Sequence, residues 1–343
     1  ITPAHWGTKH LKRALYRPFT KSWMFFDKHF NNSIYQIPQI FPTQDSENLV
    51  ISLTGLGTSK EFSCVITNVI PDVQLHANGQ CFPLYLYEKT PKNDNLFGQA
   101  EESEYQRKDA ITDAGLAHFQ SAYPQARISK EDIFYYIYGL LHSEDYRERY
   151  ANNLSKQLPR IPCVKTYQDF AAFTQAGRDL AQLHLNYETI PLYTSVQLTG
   201  SLKGLKITEQ QIRGGKDADF YVTKMKFAHK DDKTRVIYNH KITIENIPEE
   251  AYDYIVNGKP ALEWIIERQA VTTDKKSGIT NDANDWAIET MNNPRYPLEL
   301  FLRIITVSRH TQAIVNRLPQ LSIQAGAADP FFRLHTENLA ANG

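Results

Sequence analysis

The 343-residue chain is poor in the features that mark secreted and membrane-spanning proteins. Its three cysteines, Cys64, Cys81 and Cys163, lie far apart and form neither a CxxC pair nor an even disulfide framework. Such sparse cysteine usage is typical of a reducing cytosol. No run approaches the roughly 18 apolar residues that a membrane span needs, and no signal-peptide pattern is present. The sequence therefore predicts a cytoplasmic protein with no membrane partner.

Catalytic and cofactor-binding motifs are absent as well. Gly55-Leu56-Gly57 lacks the third glycine of a dinucleotide loop and the Gly-Lys-Ser/Thr of a phosphate loop, so it is typical of a β-turn. The eleven histidines show no metal-ligand spacing, and no Cys/His cluster occurs. Pro71-Asp72 resembles the start of a nuclease motif, but no acidic-x-Lys follows at a usable distance. These absences predict no catalytic residue, no cofactor site and no metal site in this chain.

Two further stretches resemble functional sites only in part. Asn293-Pro294-Arg295-Tyr296 is similar to the Asn-Pro-Pro-Tyr motif of adenine methyltransferases, but Arg295 replaces the second proline and no glycine-rich turn for S-adenosylmethionine precedes it. Entry into a helix through the prolines is the preferred interpretation. A cation site on one helical face could be formed by Asp282, Asp285 and Glu289. Capping of the helix around Trp286 is the simpler interpretation of these acidic residues.

Formal net charge is zero, but the charges are segregated along the chain. Residues 1–30 carry six Lys and Arg against one Asp, a net charge of +5. Residues 200–241 carry ten Lys and Arg against five Asp and Glu, again +5, whereas residues 245–299 carry five against eleven, a net charge of −6. This pattern suits a protein with one face toward phosphates and another toward solvent or a partner. Solvated faces with counter-ions are the alternative interpretation.

Hydrophobic periodicity and turn residues predict an α+β fold. Residues 1–90 are predicted as a β-rich segment, 91–110 as a linker, 111–320 as one domain and 321–343 as a flexible tail. The domain is predicted to hold helices over 111–186, a β-rich unit over 191–245 and helices over 248–317. The predicted strands are Ser22–Asp27, Leu49–Leu53, Ser63–Thr67, Gln80–Tyr87, Ser195–Leu198, Gly204–Ile207, Asp219–Phe227, Arg235–Tyr238 and Lys241–Ile244. The predicted helices outside the stretch considered next are Ile111–Tyr123, Tyr167–Asn186, Pro248–Val256, Pro260–Gln269 and Pro297–Arg317.

A helical hairpin over Asp132–Pro162 is the most strongly patterned stretch. Apolar residues recur there at three- and four-residue steps, and Ser129 is placed to cap the first helix. Ser143 is predicted to cap the second helix, which runs from Tyr146 to about Leu158 and ends at prolines. Its predicted buried stripe is Tyr146, Tyr150 and Leu154.

The same stretch carries a family resemblance. Leu141–Pro162 (LHSEDYRERYANNLSKQLPRIP) resembles a segment of the specificity domains of single-chain restriction–modification enzymes. Further blocks are similar in order and spacing to the C-terminal specificity region of type ISP enzymes, nearly from end to end. They are Tyr16–Phe30, Gln80–Tyr87, Phe173–Glu188, Ile255–Gln269 and Gly278–Trp286.

The resemblance implies a target-recognition domain over 111–320, with residues 1–90 adjoining an upstream methyltransferase domain. Such a region would recognise an asymmetric duplex DNA site and hold it while the methyltransferase flips an adenine. Nuclease, ATP-driven translocase and methyltransferase domains would precede Ile1, which fits a fragment without an initial methionine. The whole enzyme would use S-adenosylmethionine, ATP and Mg²⁺, with none of them bound by this fragment.

The two basic windows supply the predicted DNA-binding residues. Alternation along Tyr221–Phe227 predicts Lys224 and Lys226 on one face of a strand, where they would contact phosphates. Arg213, next to two glycines, is predicted to bond guanine O6 and N7 together. An ordinary exposed strand whose lysines confer solubility is the alternative. The residues predicted to reach base edges in the major groove also include Gln210, Gln211 and Asn239. The other predicted phosphate contacts are Lys203, Lys206, Lys12, Arg13 and Lys21.

A function of another class is also open: a coupling module that binds neighbouring domains and does not contact DNA. The acidic 245–299 window, with Trp264, Trp286 and Phe301, would provide its partner surface. Binding of DNA by the chain across a salt series distinguishes the two functions. An independent enzyme is a third class, which the missing motifs disfavour.

Overall fold

The structure, a computed structural model, describes residues 10–31, 33–90, 104–200, 215–324 and 331–333. The chain divides into two compact units. Unit 1 comprises the chain up to Arg17, Lys21–Leu185 and the chain from Arg317 onward, and unit 2 comprises Pro18–Thr20 and Asn186–Asn316. Both units mix helices with strands, which confirms the predicted α+β class. No helix in the described ranges is long and apolar enough to cross a membrane.

The regular elements are short, apart from three helices. The strands are β1 (Leu11–Arg17), β2 (Thr20–Phe25), β3 (Val50–Leu53), β4 (Cys64–Thr67), β5 (Ile70–Pro71), β6 (Gln80–Pro83), β7 (Tyr85–Lys89), β8 (Tyr105–Asp109), β9 (Arg160–Pro162), β10 (Gln197–Gly200), β11 (Lys226–His229), β12 (Asp232–Ile237), β13 (Ile242–Glu245), β14 (Ile255–Val256), β15 (Lys259–Pro260), β16 (Val271–Thr273), β17 (Thr280–Asp282) and β18 (Phe331–Arg333). The helices are α1 (Ile37–Ile40), α2 (Asp113–Ala122), α3 (Lys130–His142), α4 (Glu144–Arg149), α5 (Ala151–Leu154), α6 (Tyr167–Leu185), α7 (Ala261–Arg268), α8 (Ala283–Asp285) and α9 (Tyr296–Val315).

Small sheets form the β part of unit 1. Their strand orders are β2-β1-β5, β4-β3-β6, β7-β8 and β18-β9. The predicted strand over Gln80–Tyr87 is divided into β6 and β7 because Leu84 turns the chain from one sheet into the next. Strand β8 lies inside the predicted 91–110 linker and pairs antiparallel with β7 along its whole length. That pairing ties the two sides of the predicted linker together, whereas the two compact units separate at Leu185 and Asn186.

The two longest helices of unit 1, α3 and α6, cross at glycines. Ser129 caps α3 as predicted, and it forms a capping box in which Asp132 returns a bond to the Ser129 backbone. Helix α3 packs against α6 at Gly139 and Gly177. A Cβ atom built on Gly177 would lie 1.8 Å from the carbonyl oxygen of Tyr135, so the two backbones are too close for any larger residue.

The second helix of the predicted hairpin is broken into α4 and α5 at Tyr150. Ser143 caps α4, as predicted, by accepting a hydrogen bond from the backbone N–H of Tyr146. Tyr146 and Leu154 are buried, which confirms that part of the predicted stripe. Tyr150 is only partly buried, so its predicted burial is wrong: it lies at the break, where the helical spacing no longer holds.

Unit 2 is built on a four-stranded antiparallel sheet with the strand order β10-β13-β12-β11. Inward side chains of this sheet, such as Val236 and Ile244, join one hydrophobic core with α7 and α9. Helices α7 and α9 begin and end within two residues of their predicted bounds. The predicted helix over Pro248–Val256 is wrong: the chain makes one 3₁₀ turn at Glu249–Tyr252 and then strand β14.

Candidate nucleic-acid interface

Two exposed lysines lie at one end of the four-stranded sheet in unit 2. The predicted strand over Asp219–Phe227 is wrong over most of its length, because β11 begins only at Lys226. Lys224 precedes it and forms an isolated bridge with Ala270. Met225 between them is 1% exposed, so both lysines point away from the core, as the alternation predicts. The alternation does not extend back to Val222, which is buried because its backbone N–H and C=O both bond to the Asn284 amide at 2.9 Å.

The neighbouring cations of the same window are paired with carboxylates. Lys233 donates to Glu263 at 2.9 Å, Arg235 to Glu245 at 2.8 Å and Lys241 to Asp219 at 2.8 Å. An ion pair of this kind lowers the positive charge that a phosphate meets. Within the described part of unit 2, four exposed lysines of the window have no such partner: Lys216, Lys224, Lys226 and Lys230.

Asn239 is predicted to contact a base edge, but its side chain is hydrogen-bonded to backbone groups at the turn between β12 and β13. Its amide nitrogen donates to the carbonyl oxygens of Asp219 (2.9 Å) and Tyr221 (3.0 Å). Its amide oxygen accepts from the backbone N–H groups of Lys241 and Ile242, both at 2.8 Å. A base contact would break bonds that hold this turn, so the structure gives Asn239 a structural role.

The first basic window contains one buried lysine. Lys12 is 8% exposed, and its Nζ donates to the carbonyl oxygens of Phe41 (2.6 Å) and Pro42 (3.2 Å). Burial lowers the pKa of this ammonium group, because a charge is poorly solvated in the interior. Lys12 therefore ties β1 to the chain after α1 and does not face a phosphate in this conformation.

The other two residues of the first window lie on the β1–β2 hairpin. Arg13 is exposed, and its guanidinium lies over the ring of Trp23, 5.4 Å from the centroid. Lys21 is partly buried. Two more apolar side chains of this hairpin, Leu11 and Tyr16, are exposed together with Trp23. The hairpin thus presents a mixed aromatic and basic surface, which suits either nucleic acid or protein.

Five predicted contacts lie outside the described residues: Lys203, Lys206, Gln210, Gln211 and Arg213. Their segment, 201–214, connects two described glycines. Gly200 ends β10 at φ +121°, and a Cβ there would lie 2.2 Å from the carbonyl oxygen of Lys241. Gly215, at φ +56°, resumes the described chain. The DNA contacts predicted for this segment stay predictions.

The stretch that is similar to a methyltransferase motif serves as the entry to α9. The side-chain oxygen of Asn293 accepts from the backbone N–H of Arg295 at 3.0 Å, and its amide donates to Glu299 at 3.0 Å. Tyr296 is buried and donates to Glu188 at 2.6 Å. These bonds agree with the interpretation of the stretch as a helix start.

The acidic set in unit 2 likewise has a capping role. Asp282 is the N-cap of α8 and accepts from the backbone N–H of Asn284 at 2.8 Å, while Tyr221 donates to its other oxygen at 2.7 Å. Burial, followed by the nearby Asp282 and Glu289 charges, raises the pKa of Asp285. No group of three or more His, Cys, Asp and Glu in the described ranges could hold a metal ion.

A polar cleft of about 580 Å³ lies in unit 1 at the start of α2. Lys130 lines it and pairs with Asp113 at 2.7 Å and Asp109 at 3.3 Å. Arg107 lies over the ring of Tyr85, 4.2 Å from the centroid. The carboxylates oppose its cations, so this cleft is less suited to a phosphate than the unpaired lysines of unit 2.

Sequence reasoning missed one exposed element, the β16–β17 hairpin over Val271–Asp282. It lies in the acidic 245–299 window, which was assigned to solvent or a partner. A local signal was available: two threonine-containing runs flank Asp274-Lys275-Lys276-Ser277-Gly278, which has the composition of a hairpin turn. The hairpin starts beside Lys224, because Ala270 bridges to Lys224.

Comparison with known proteins shows the family to which the chain belongs. A family model, the Type ISP C-terminal specificity domain, matches residues 5–300. The chain therefore belongs to that family, which confirms the resemblance seen in the sequence. A comparison with curated proteins finds no match.

The solved structures that are similar over nearly the whole chain include three DNA complexes. The ATP-dependent Type ISP restriction-modification enzyme LlaBIII bound to DNA is 37% identical with a TM-score of 0.79, over 93% of this chain and 19% of that one. A nuclease-deletion mutant of the Type ISP enzyme LlaGI in complex with a DNA substrate mimic is 36% identical with a TM-score of 0.74, over 93% and 21%. DrdV in its DNA complex is 32% identical with a TM-score of 0.72, over 92% and 29%. The chain thus spans about a fifth of the length of the two Type ISP enzymes.

Proposed function

We propose that this chain recognises a specific site in duplex DNA and presents it to an adenine methyltransferase domain of the same polypeptide. DNA recognition, the first part of this proposal, rests on exposed lysines of unit 2 that form no ion pair with a described residue. Lys224 and Lys226 are exposed on one sheet end and have no carboxylate partner among the described residues, whereas three neighbouring cations do. Phosphate binding favours cations whose charge is not already neutralised. The DNA-bound relatives support the same function.

Binding of duplex DNA by the full chain across a salt series tests this part. Each phosphate-contacting lysine that is removed should flatten the slope of log K against log salt by about 0.9 and weaken binding to all sequences alike. Lys224→Ala and Lys226→Ala should each show this change. Lys224→Arg keeps the charge and is the matched control, because its slope should equal that of the unmodified chain.

Two results would contradict the proposal. DNA binding that does not depend on salt would exclude a phosphate-contacting surface. Binding in which both alanine variants keep the original slope would exclude these two lysines as phosphate contacts. Other exposed cations, such as Arg13 of the β1–β2 hairpin, Lys216 and Lys230, would then be the candidates.

The second part of the proposal concerns the neighbouring domain. Trp264, Trp286 and Phe301 are the predicted partner surface, but Trp264 and Phe301 are buried in the core of unit 2 and Trp286 is partly buried against it. Trp23 of the β1–β2 hairpin is 43% exposed, and the hairpin lies in the 1–90 segment that the family resemblance places next to the methyltransferase domain. This hairpin is therefore the better candidate for that contact.

The cofactors of the whole enzyme belong to other domains in this proposal. S-adenosylmethionine, ATP and Mg²⁺ would bind to the methyltransferase, translocase and nuclease domains that the family resemblance implies. In this proposal the chain itself transfers no methyl group and hydrolyses no ATP. Incubation of the pure chain with labelled S-adenosylmethionine or ATP and DNA checks this, and turnover of either would contradict it.

A further inference from the structure

We infer that the β16–β17 hairpin enters the major groove of duplex DNA and that Asn281 recognises an adenine there. The inference rests on the proposed function, since it names the element that recognises bases. The hairpin lies in the acidic 245–299 window, for which the charge pattern predicts a face toward solvent or a partner.

The first observation is exposure on both faces of the hairpin. Every residue from Thr272 to Asn281 is exposed, and Ile279 is 62% exposed. A two-stranded hairpin that buries neither face adds little to the stability of a fold. Stability therefore does not account for this element, whereas a ligand that meets its side chains does.

The second observation is that the hairpin is held at both ends. At its base, the backbone N–H of Val271 donates to Thr223 at 2.8 Å, and Tyr221 donates to Asp282 at 2.7 Å. At its tip, Asp274 accepts from the backbone N–H groups of Lys276 (3.1 Å) and Ser277 (2.7 Å). A hairpin fixed in this way loses little conformational entropy when it binds.

The third observation is the chemistry of one face. The register pairs Thr272 with Asn281, and alternation places Ile279 on the same face as Asn281. Neither Thr272 nor Asn281 forms a side-chain hydrogen bond with another described residue. The opposite face differs, because its Thr273 and Thr280 hydroxyls bond to each other at 2.9 Å. An asparagine amide can bond adenine N6 and N7 together, and an apolar side chain contacts the thymine methyl group. The face formed by Thr272, Ile279 and Asn281 is therefore suited to a site that contains A·T pairs.

The dimensions and charges agree with a groove. A two-stranded ribbon fits the major groove, which is about 12 Å wide, so a ribbon that lies along the groove can turn one face toward the base edges. Lys275 and Lys276 at the tip outnumber Asp274, so the turn carries net positive charge and is suited to contact the phosphates beside the groove. The hairpin also continues the lysine surface, because Lys224 bridges to Ala270 next to its base.

Selection of duplexes from a randomised pool by the full chain, followed by sequencing, tests the inference and identifies the recognised site in the same experiment. The unmodified chain should enrich a motif with at least one strongly preferred adenine. Asn281→Ala should reduce the preference at one A·T position by about 5- to 150-fold and leave the other positions unchanged. Asn281→Asp, which keeps the shape of the side chain, should lose the same preference. Asn316→Ala is the matched control, since Asn316 is an exposed asparagine of the same unit at the end of α9.

The outcomes separate this inference from the proposed function. A motif that is unchanged in Asn281→Ala and Asn281→Asp overturns the inference and leaves sequence-specific DNA binding intact. Binding without an enriched motif in the unmodified chain overturns both. Removal of both tip lysines, Lys275→Ala with Lys276→Ala, should weaken binding to every sequence alike, and a change in motif instead would contradict the phosphate role given to them.

Discussion

The close crossing of α3 and α6 in unit 1 can be tested by adding a methyl group at its glycines. Gly177→Ala would place a methyl group 1.8 Å from the carbonyl oxygen of Tyr135 and 3.0 Å from the backbone nitrogen of Gly139. Neither atom belongs to a flexible side chain, so the two helices must separate by more than 1 Å to reach an ordinary contact of about 3.5 Å.

The expected magnitude follows from two opposed effects. Overpacking of a close-packed site costs typically about 1–3 kcal/mol, and here backbone meets backbone, so the upper end or beyond applies. Alanine favours the helix over glycine by about 1 kcal/mol and offsets part of that cost. We therefore expect Gly177→Ala to lower the free energy of unfolding by at least about 2 kcal/mol. Urea unfolding followed by far-ultraviolet circular dichroism measures it, together with hydrogen exchange in α3 and α6.

Two further variants make the result interpretable. Gly139→Ala meets the same crossing from the other helix, with a Cβ 2.1 Å from the carbonyl oxygen of Phe173, so the double variant should cost less than the sum of the single changes. Gly79→Ala is the control, because its nearest contacts are ordinary ones of 3.4–3.6 Å. A Gly177→Ala chain within about 0.5 kcal/mol of the unmodified protein would refute the close crossing.

Other consequences are open to simpler measurements. Leu154→Ala should cost about 2–5 kcal/mol in urea unfolding as a cavity substitution, whereas Arg149→Ala should change stability by less than about 1 kcal/mol because it is exposed; equal costs would contradict the observed burial. Burial lowers the pKa of His76 and of His184 to about 3. The unfolded chain therefore binds protons that the folded chain does not, and the free energy of unfolding should fall as pH drops from about 6.5 toward 3. A urea midpoint that does not change with pH would contradict this. Trp23→Ala should weaken association with a separately produced methyltransferase domain and leave the DNA salt slope unchanged, as isothermal titration and the salt series would show; unchanged association would remove this hairpin from the proposed contact.

Local sequence determined the elements whose signals act within a few residues. Ser129 and Ser143 cap their helices because the capping hydrogen bonds reach only two or three residues along the chain. The bounds of α6, α7 and α9 followed from apolar spacing for the same reason. Family membership, too, was visible in the order of several blocks, because it depends on residue identities and not on their contacts.

Tertiary structure alone decided which charges are available. Lys12 and Lys224 lie in windows of equal net charge, yet Lys12 is buried on two carbonyl oxygens and Lys224 is exposed. Arg235 is indistinguishable from Lys226 by composition, but only the sheet register brings Glu245 opposite Arg235. The β16–β17 hairpin could not be recognised from the net charge of the acidic 245–299 window, because a net charge does not show which side chains share a face. Charge acts through distance in space, and partners ten or thirty residues apart become neighbours only when the chain folds.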